Sequence, residues 1–132
     1  GDHNPWLGND NSVYNMLGID FDLSTEEGAT NYYDTPYIIW ANDKAKEVLQ
    51  NDFVGKGEKI SPNYLMNKFL ELAGYGGNEF MKASNDLRKN VQAINSVFYL
   101  ENNAYASELS DESKKMLDKF YKMQYYWIYD KK

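Results

Sequence analysis

The sequence predicts a mixed structure of helices and short strands, α+β when the chain is taken by itself. Apolar residues recur at helical spacing between Ser61 and Gly74, and again in the last third of the chain. The run at residues 36–41 is short and almost continuously apolar, which is typical of a strand covered on both faces. Two short β-rich segments flank Asn102-Asn103, and asparagine tolerates the left-handed backbone of a tight hairpin.

The first third of the chain is rich in turn signals, among them Asn4-Pro5 and Glu27-Gly28, and therefore predicts loops. An apolar patch at residues 13–17 fits one short helical turn that ends at Gly18. The apolar run follows, with its proline at the start, where a strand tolerates a missing N–H. We expect a buried strand near 36–41.

The first long helix is predicted near 62–73 from its boundary signals. Ser61 is a good N-cap, Pro62 suits the first helical position, and Gly74 marks the end. A second helix is predicted near 78–91.

A small hairpin is predicted near 95–106, around the asparagine turn. A final helix is predicted near 111–127, with Ser110 as its N-cap and two acidic residues at its positive N-terminal end. No repeat or linker divides the chain, so residues 1–132 are expected to form a single domain or subdomain.

Composition excludes several classes of function. The chain has no cysteine, which removes disulfides, thiolate metal sites and cysteine nucleophiles. Its single histidine removes any multi-histidine metal cage. A formal net charge of −6 with no basic stripe argues against nucleic acid as a partner. No apolar run has the length of a membrane span, and the first residues do not resemble a signal peptide.

The single histidine follows an aspartate, and the pair Asp2-His3 is the candidate metal site. A carboxylate oxygen and an imidazole nitrogen together suit manganese or zinc better than magnesium. Adjacent residues of a strand point to opposite faces, so the pair could share one ion only where the backbone leaves the strand. The alternative, which the dipeptide alone favours, is an accidental adjacency in an N-terminal tail.

Two further patterns have simpler explanations than chemistry. Asp20-Phe21-Asp22 has the form of a metal-binding D-x-D motif, but a solvated acidic turn is the better interpretation. Gly55-Lys56-Gly57 lacks the remainder of a phosphate-binding loop and is interpreted as a flexible loop.

The aromatic residues make up 16% of the chain and admit two interpretations. Five tyrosines and tryptophans fall within apolar periodic segments, which favours packing in a core or an interface: Tyr37, Trp40, Tyr64, Tyr126 and Trp127. Trp6 and Tyr32-Tyr33 fall in predicted loops, and they are the candidates for an exposed sugar-stacking surface.

The chain resembles the lipoteichoic-acid-synthase-like phosphoglycerol transferases, which are sulfatase-type members of the alkaline phosphatase superfamily. The similarity begins at Gly-Asp-His-Asn-Pro-Trp-Leu-Gly (1–8) and Val-Tyr-Asn-Met-Leu-Gly (13–18). It continues in order through Thr-Pro-Tyr-Ile-Ile-Trp-Ala-Asn (35–42) and Ile-Ser-Pro-Asn-Tyr-Leu (60–65) to a final helix at 117–126. Each match is short, but together they span nearly the whole chain.

The resemblance implies an α/β sulfatase-like fold, with this chain as the C-terminal part of a larger extracellular catalytic domain at the cell membrane. Asp2 and His3 would be ligands of a divalent ion in the complete domain, manganese in the first place, with magnesium or zinc as alternatives. A threonine nucleophile and a further acidic ligand would come from upstream. The nucleophile would transfer phosphoglycerol from a lipid donor to a polymer acceptor.

The same resemblance implies that this chain alone is not an enzyme, because it holds no catalytic nucleophile and only two metal ligands. A sulfatase or phosphodiesterase of the same superfamily is one alternative. A non-enzymatic module that binds glycan or protein through its aromatic residues is the other. Without upstream strands beside it, the 36–41 strand would be an open sheet edge, and the fragment is expected to self-associate.

Overall fold

A computed structural model describes residues 3–130 and has the predicted α+β composition, with one small antiparallel sheet. The α-helices are α1 (Ser12–Met16), α2 (Glu26–Tyr33), α3 (Asp43–Leu49), α4 (Leu65–Leu72), α5 (Glu79–Asn90) and α6 (Asp111–Tyr125). The strands are β1 (Val91–Ile94), β2 (Tyr99–Glu101) and β3 (Ala104–Ala106). Turns of 3-10 helix at Asn9–Asn11 and Pro62–Tyr64 precede α1 and α4, and a π-helical turn at Tyr126–Asp130 follows α6.

The chain divides into two compact units. The N-terminal unit comprises the described residues up to Ile38 together with Asn95–Phe98, and the C-terminal unit comprises Ile39–Ile94 and the described residues from Tyr99 onward. Within residues 3–130, every helix is too short or too polar to cross a lipid bilayer.

The core of the C-terminal unit forms where α5 and α6 pack together beside the sheet. Its side chains come from widely separated parts of the sequence, and those of Tyr64, Leu87 and Val91 are no more than 1% exposed. Phe80 and Phe120 stack at 5.2 Å between ring centroids and join the two helices. The helices predicted near 62–73, 78–91 and 111–127 are confirmed, with small shifts at their ends. Each of them contributes at least one apolar side chain to this core.

The predicted cap at Ser110 and the predicted helix end at Gly74 are confirmed. Ser110 accepts a hydrogen bond from the Ser113 N–H and is the N-cap of α6. Gly74 follows α4 with a φ of +75°, a left-handed conformation that glycine adopts without strain. Asn78 caps α5 by accepting from the Met81 N–H at 3.0 Å.

Ser61 is the exception, because its side chain makes no cap hydrogen bond. Its Oγ instead accepts from the Ile94 N–H at 2.8 Å, and its own N–H donates to the Gln92 carbonyl at 2.9 Å. These two hydrogen bonds hold Ser61, which precedes α4, alongside the strand β1.

We predict that Ser61→Ala lowers the free energy of unfolding by about 1–2 kcal/mol, because the Ile94 N–H loses its acceptor. Hydrogen exchange should accelerate at the Ile94 amide, while the first amides of α4 keep their protection. The variant Ser61→Thr retains the hydroxyl and should restore slow exchange. Faster exchange confined to α4 would instead indicate a capping role and would contradict this assignment.

The hairpin is confirmed in part. Asn102 and Asn103 have φ values of 50° and 64° and form the tight turn between β2 and β3. The predicted start of the hairpin near residue 95 is wrong, because residues 95–98 turn the chain and the strand β2 begins only at Tyr99. β1 comes earlier, directly after α5, and carries a bulge between Val91 and Ala93.

The predicted buried strand near 36–41 is not found. In the described chain these residues belong to no helix or strand, and the side chains of Ile38 and Trp40 are 90% and 75% exposed. Ile39 is partly buried between them, so exposure alternates along the segment as it does in a half-buried strand. Local preference for extended backbone makes a strand only where another strand supplies the hydrogen bonds.

Candidate functional site

Residues 3–5 are anchored to the two helices of the N-terminal unit. The Asn4 side-chain amide donates to the carbonyls of Asn31 and Tyr32, at 2.7 and 2.9 Å. These are carbonyls of the last turn of α2, where the helix itself offers no partners. The Tyr14 hydroxyl, on α1, donates to the Pro5 carbonyl at 2.8 Å. These contacts of Asn4 and Pro5 fix the backbone that directly follows His3.

The imidazole of His3 lies at the surface, and its Nδ1 is 2.7 Å from the Asn4 carbonyl oxygen. A carbonyl can only accept, so the ring donates from Nδ1, and in the neutral tautomer of this arrangement the lone pair is on Nε2. Histidines that bind metals are oriented in this way, with the second nitrogen donating to a carbonyl or carboxylate. The local geometry thus suits His3 as an Nε2 ligand.

The other predicted ligand, Asp2, lies outside the described residues. Within residues 3–130, no three His, Asp or Glu side chains are grouped so that they could hold an ion. The donor chemistry of His3 fits a borderline divalent ion such as manganese or zinc, and a carboxylate beside it would complete a pair. Further ligands would have to come from outside the described part of the chain.

The acidic pair Asp20 and Asp22 organises the turn that leads into α2. Asp20 accepts from the Asp22 N–H at 2.8 Å, and Asp22 accepts from the backbone N–H and hydroxyl of Ser24. The backbone hydrogen bond from Ser24, followed by that from its hydroxyl, lowers the pKa of Asp22 below its ordinary value. These contacts favour the acidic-turn interpretation over a metal-binding D-x-D motif.

The exposed aromatic residues of the N-terminal unit do not form a flat platform. Trp6 is 78% exposed, as the sequence suggested. Tyr32 and Tyr33 are also exposed, but they belong to α2 and not to a loop. Their rings contact each other edge-on at 5.1 Å, and Tyr32 contacts Phe21 at 5.7 Å. These two tyrosines therefore pack against each other and against Phe21. They do not form a flat stacking surface with Trp6 of the kind that glycan binding would use.

The packing predicted for the other aromatic residues is confirmed only in part. Tyr64 is fully buried and Tyr37 is partly buried, whereas Trp40 is 75% exposed. Tyr126 and Trp127 are 57% and 40% exposed at the end of α6. Local periodicity places such residues on an apolar face but does not determine whether another element covers that face.

A charge network around the buried Arg88 in the C-terminal unit was not anticipated from sequence. Arg88, on α5, is 3% exposed, and its two terminal nitrogens bind Glu58 at 2.5 Å and Glu71 at 2.6 Å. Lys68 also binds Glu58, at 2.7 Å. The Lys68 hydrogen bond is the main reason that the pKa of Glu58 lies below its usual value, and the Arg88 charge acts in the same direction.

Tyr64 lies beside this network and is fully buried. Burial raises the pKa of its hydroxyl to about 12, so the side chain stays neutral throughout the physiological range. The two acidic partners of Arg88 come from a loop and from α4, and they are separated from Arg88 by 30 and 17 residues in the sequence. No local pattern signals such a cluster, which is why sequence reasoning missed it.

Two open cavities lie in the C-terminal unit. One, of about 250 Å³, is apolar and lies between residues 39–42, α3 and α4. The other, of about 560 Å³, lies between the start of α5 and the end of α6 and includes Lys119, Lys122 and Trp127. Neither groups nucleophilic and basic side chains in the way that a hydrolytic site requires.

Comparisons with protein-family models, with curated proteins and with solved structures find no significant match to this chain.

Proposed function

We propose that this chain is the C-terminal part of a metal-dependent phosphoglycerol transferase of the lipoteichoic-acid-synthase-like, sulfatase-type family. It would act in the synthesis of a cell-surface polymer at the extracellular face of the membrane. The proposal starts from the ordered sequence similarity that begins at Asp2-His3. The observation that carries it is the orientation of His3, whose Nδ1 faces the Asn4 carbonyl at 2.7 Å.

The role proposed for this chain is to supply Asp2 and His3 as two ligands of a divalent ion, manganese in the first place. When bound, such an ion lowers the pKa of a nucleophilic hydroxyl and stabilises charge on phosphoryl oxygens. Asn4 would hold the ligand segment on α2, and Tyr14 would fix the following proline through its carbonyl. The segment would then need little reorganisation when the ion binds.

The remaining parts of the reaction would be supplied from outside this sequence. A threonine would take phosphoglycerol from a lipid donor and pass it to the polymer, in two displacement steps. We expect the chain by itself to be inactive, since two ligands do not hold a catalytic ion firmly. A sulfatase or phosphodiesterase of the same superfamily would use the same two ligands, and a sulfatase would require a formylglycine as nucleophile in place of threonine.

The proposed ligand pair can be tested by NMR with Mn²⁺ as a paramagnetic probe. His3 is the only histidine in the chain, so its ring resonances need no further assignment. We predict that low concentrations of Mn²⁺ broaden these resonances selectively and that Asp2→Asn weakens the effect severalfold. His3→Gln should abolish the corresponding broadening of the backbone amides of Asn4 and Trp6.

The matched control is Asp20→Asn combined with Asp22→Asn, which removes two carboxylates from the same unit. This variant should leave the broadening at His3 unchanged. Equal broadening in the wild-type chain and in Asp2→Asn would contradict the ligand pair. Broadening that is lost in the Asp20→Asn/Asp22→Asn variant would show that the D-x-D motif, and not Asp2-His3, binds the ion.

A further inference from the structure

The end of α6 presents apolar and aromatic side chains that remain largely exposed, and of these Trp127 also contacts the ring of Phe80 at 6.4 Å between centroids. From Gln124 to Tyr129 every residue is exposed, whereas earlier turns of the helix bury Ser113 and Phe120. We call residues 124–129 the aromatic tip. Its exposed side chains are Tyr125 (62%), Tyr126 (57%), Trp127 (40%), Ile128 (63%) and Tyr129 (68%).

The exposure of the aromatic tip surrounds the helix, so it is not a single uncovered stripe. Five consecutive residues cannot share one face of a helix, because residues on one face recur at a spacing of three or four. The π-helical turn over Tyr126–Asp130 continues α6 past the end of its buried face. The rings of Tyr125 and Tyr129 contact each other at 4.7 Å, but this contact leaves both largely exposed.

The residue types at the aromatic tip distinguish between the surfaces that could cover it. Tyrosine and tryptophan each combine an apolar ring with one polar group, and they are enriched where an apolar phase meets water. Four of the five apolar residues of the tip are of these two types. A helix of this composition suits the interface of a lipid bilayer, in which rings enter the boundary and hydroxyl groups stay hydrated.

The charge of the surrounding sequence adds a second, independent observation. Residues 119–132 carry four lysines and one aspartate, although the rest of the chain has ten basic and nineteen acidic residues. Lys119 and Lys122 lie on α6 beside the 560 Å³ cavity, which Glu79 and Asp118 also line, and Lys122 is paired with Asp118 at 2.6 Å. The excess of positive charge therefore comes from Lys119 and from Lys131-Lys132, which follow the tip in sequence. Lysines that flank an interfacial helix favour a surface of anionic lipid.

We propose that the aromatic tip docks onto an anionic lipid bilayer and lies in its interface without crossing it. The tip would insert its rings at the boundary between headgroups and acyl chains, while the flanking lysines bind the anionic headgroups. This inference does not rest on the proposed metal site, because neither His3 nor a metal ion takes part in it.

The test uses the wild-type chain and vesicles of phosphatidylcholine with and without phosphatidylglycerol, followed by cosedimentation. We expect binding to vesicles that contain the anionic lipid, and we expect it to weaken as salt concentration rises. Lys131→Gln with Lys132→Gln should weaken binding by about fivefold for each lysine. In a Trp6→Phe/Trp40→Phe background, the emission of Trp127 should shift to shorter wavelength on binding.

The decisive variant is Tyr125→Ser combined with Ile128→Ser, which replaces two exposed side chains and should leave the fold intact. Its matched control is Ile38→Ser combined with Trp40→Ser, which removes similar apolar surface away from the tip. The first variant should lose most vesicle binding and the second should retain it. The proposal is overturned if both variants bind as the wild type does, or if the wild type ignores anionic vesicles.

A second copy of the chain is the competing occupant of the aromatic tip. Sedimentation velocity in the absence of lipid would reveal it as a concentration-dependent dimer that Tyr125→Ser/Ile128→Ser abolishes. That result, together with an absence of vesicle binding, would replace the bilayer with a protein partner. If the wild-type chain does not bind vesicles but still shows selective Mn²⁺ broadening at His3, this inference is overturned and the proposed function is not affected.

Discussion

Replacing both carboxylates that bind Arg88, by Glu58→Gln and Glu71→Gln, is expected to lower the free energy of unfolding by about 3 kcal/mol. Arg88 is 3% exposed, so its guanidinium cannot regain water when the opposing charges are removed. The glutamine side chains retain the shape and one acceptor each. The loss therefore measures the cost of an uncompensated buried charge, and urea denaturation at pH 7 would report it.

The opposite change, Arg88→Met, should cost only about 1–2 kcal/mol. The side chains of Glu58 and Glu71 are 48% and 42% exposed, so both carboxylates can be hydrated once the arginine is gone. Methionine also fills most of the volume of the arginine stem. A larger loss from Arg88→Met than from the double glutamine variant would contradict this asymmetry.

The contribution of Glu58 should also depend on pH. Its pKa in the folded chain is lowered from the ordinary value of 4.5, chiefly by the hydrogen bond from Lys68. A depressed folded-state pKa means that the unfolded chain binds the proton more readily. The stabilisation is therefore complete above about pH 4.5 and is lost as the pH falls through the lower folded-state pKa. The difference between wild type and Glu58→Gln should shrink over that range.

Gly28→Ala is expected to destabilise the N-terminal unit by about 2–3 kcal/mol, although alanine is the better helix former. Gly28 lies in α2, where the backbone of Asp22 packs directly against it. A Cβ at this position would overlap the Asp22 carbonyl oxygen and lie 2.7 Å from its carbonyl carbon. Backbone atoms cannot move aside as a flexible side chain can, so the turn at residues 20–25 must shift.

Gly76→Ala is the matched control, because a Cβ at Gly76 meets nothing within 4 Å. This variant should change stability by no more than about 0.5 kcal/mol. Hydrogen exchange of the α2 amides would localise the effect of Gly28→Ala, and α5 should keep its protection. Unchanged α2 protection in Gly28→Ala would show that the turn does not pack as the structure describes.

The role of Gly28 also shows where local sequence signals mislead. Glu27-Gly28 has the composition of a turn, yet it forms the start of a helix capped by Thr25, which accepts from the Gly28 N–H at 2.9 Å. The glycine is needed for a close approach between backbones and not for a bend. Nothing within a few residues of Gly28 distinguishes these two requirements.

The candidate ligand segment illustrates a different limit. The adjacency of Asp2 and His3 could be read directly, but the hold on His3 depends on Asn4 reaching the end of α2, some 28 residues away. A short polar motif shows which donor atoms are present, but their orientation is set by long-range contacts. Asp2 itself lies outside the described residues.

The sequence by itself determined the three principal helices, the asparagine turn of the hairpin, the cap at Ser110 and the stop at Gly74. These depend on periodicity, propensity and hydrogen bonds within a few residues, all of which are local. The tertiary structure alone decided the pairing of Ser61 with β1, the burial of Arg88 and the exposure of Ile38 and Trp40. Each of these depends on which distant segment lies alongside, because a strand, a buried charge or an apolar face is stable only with its partner.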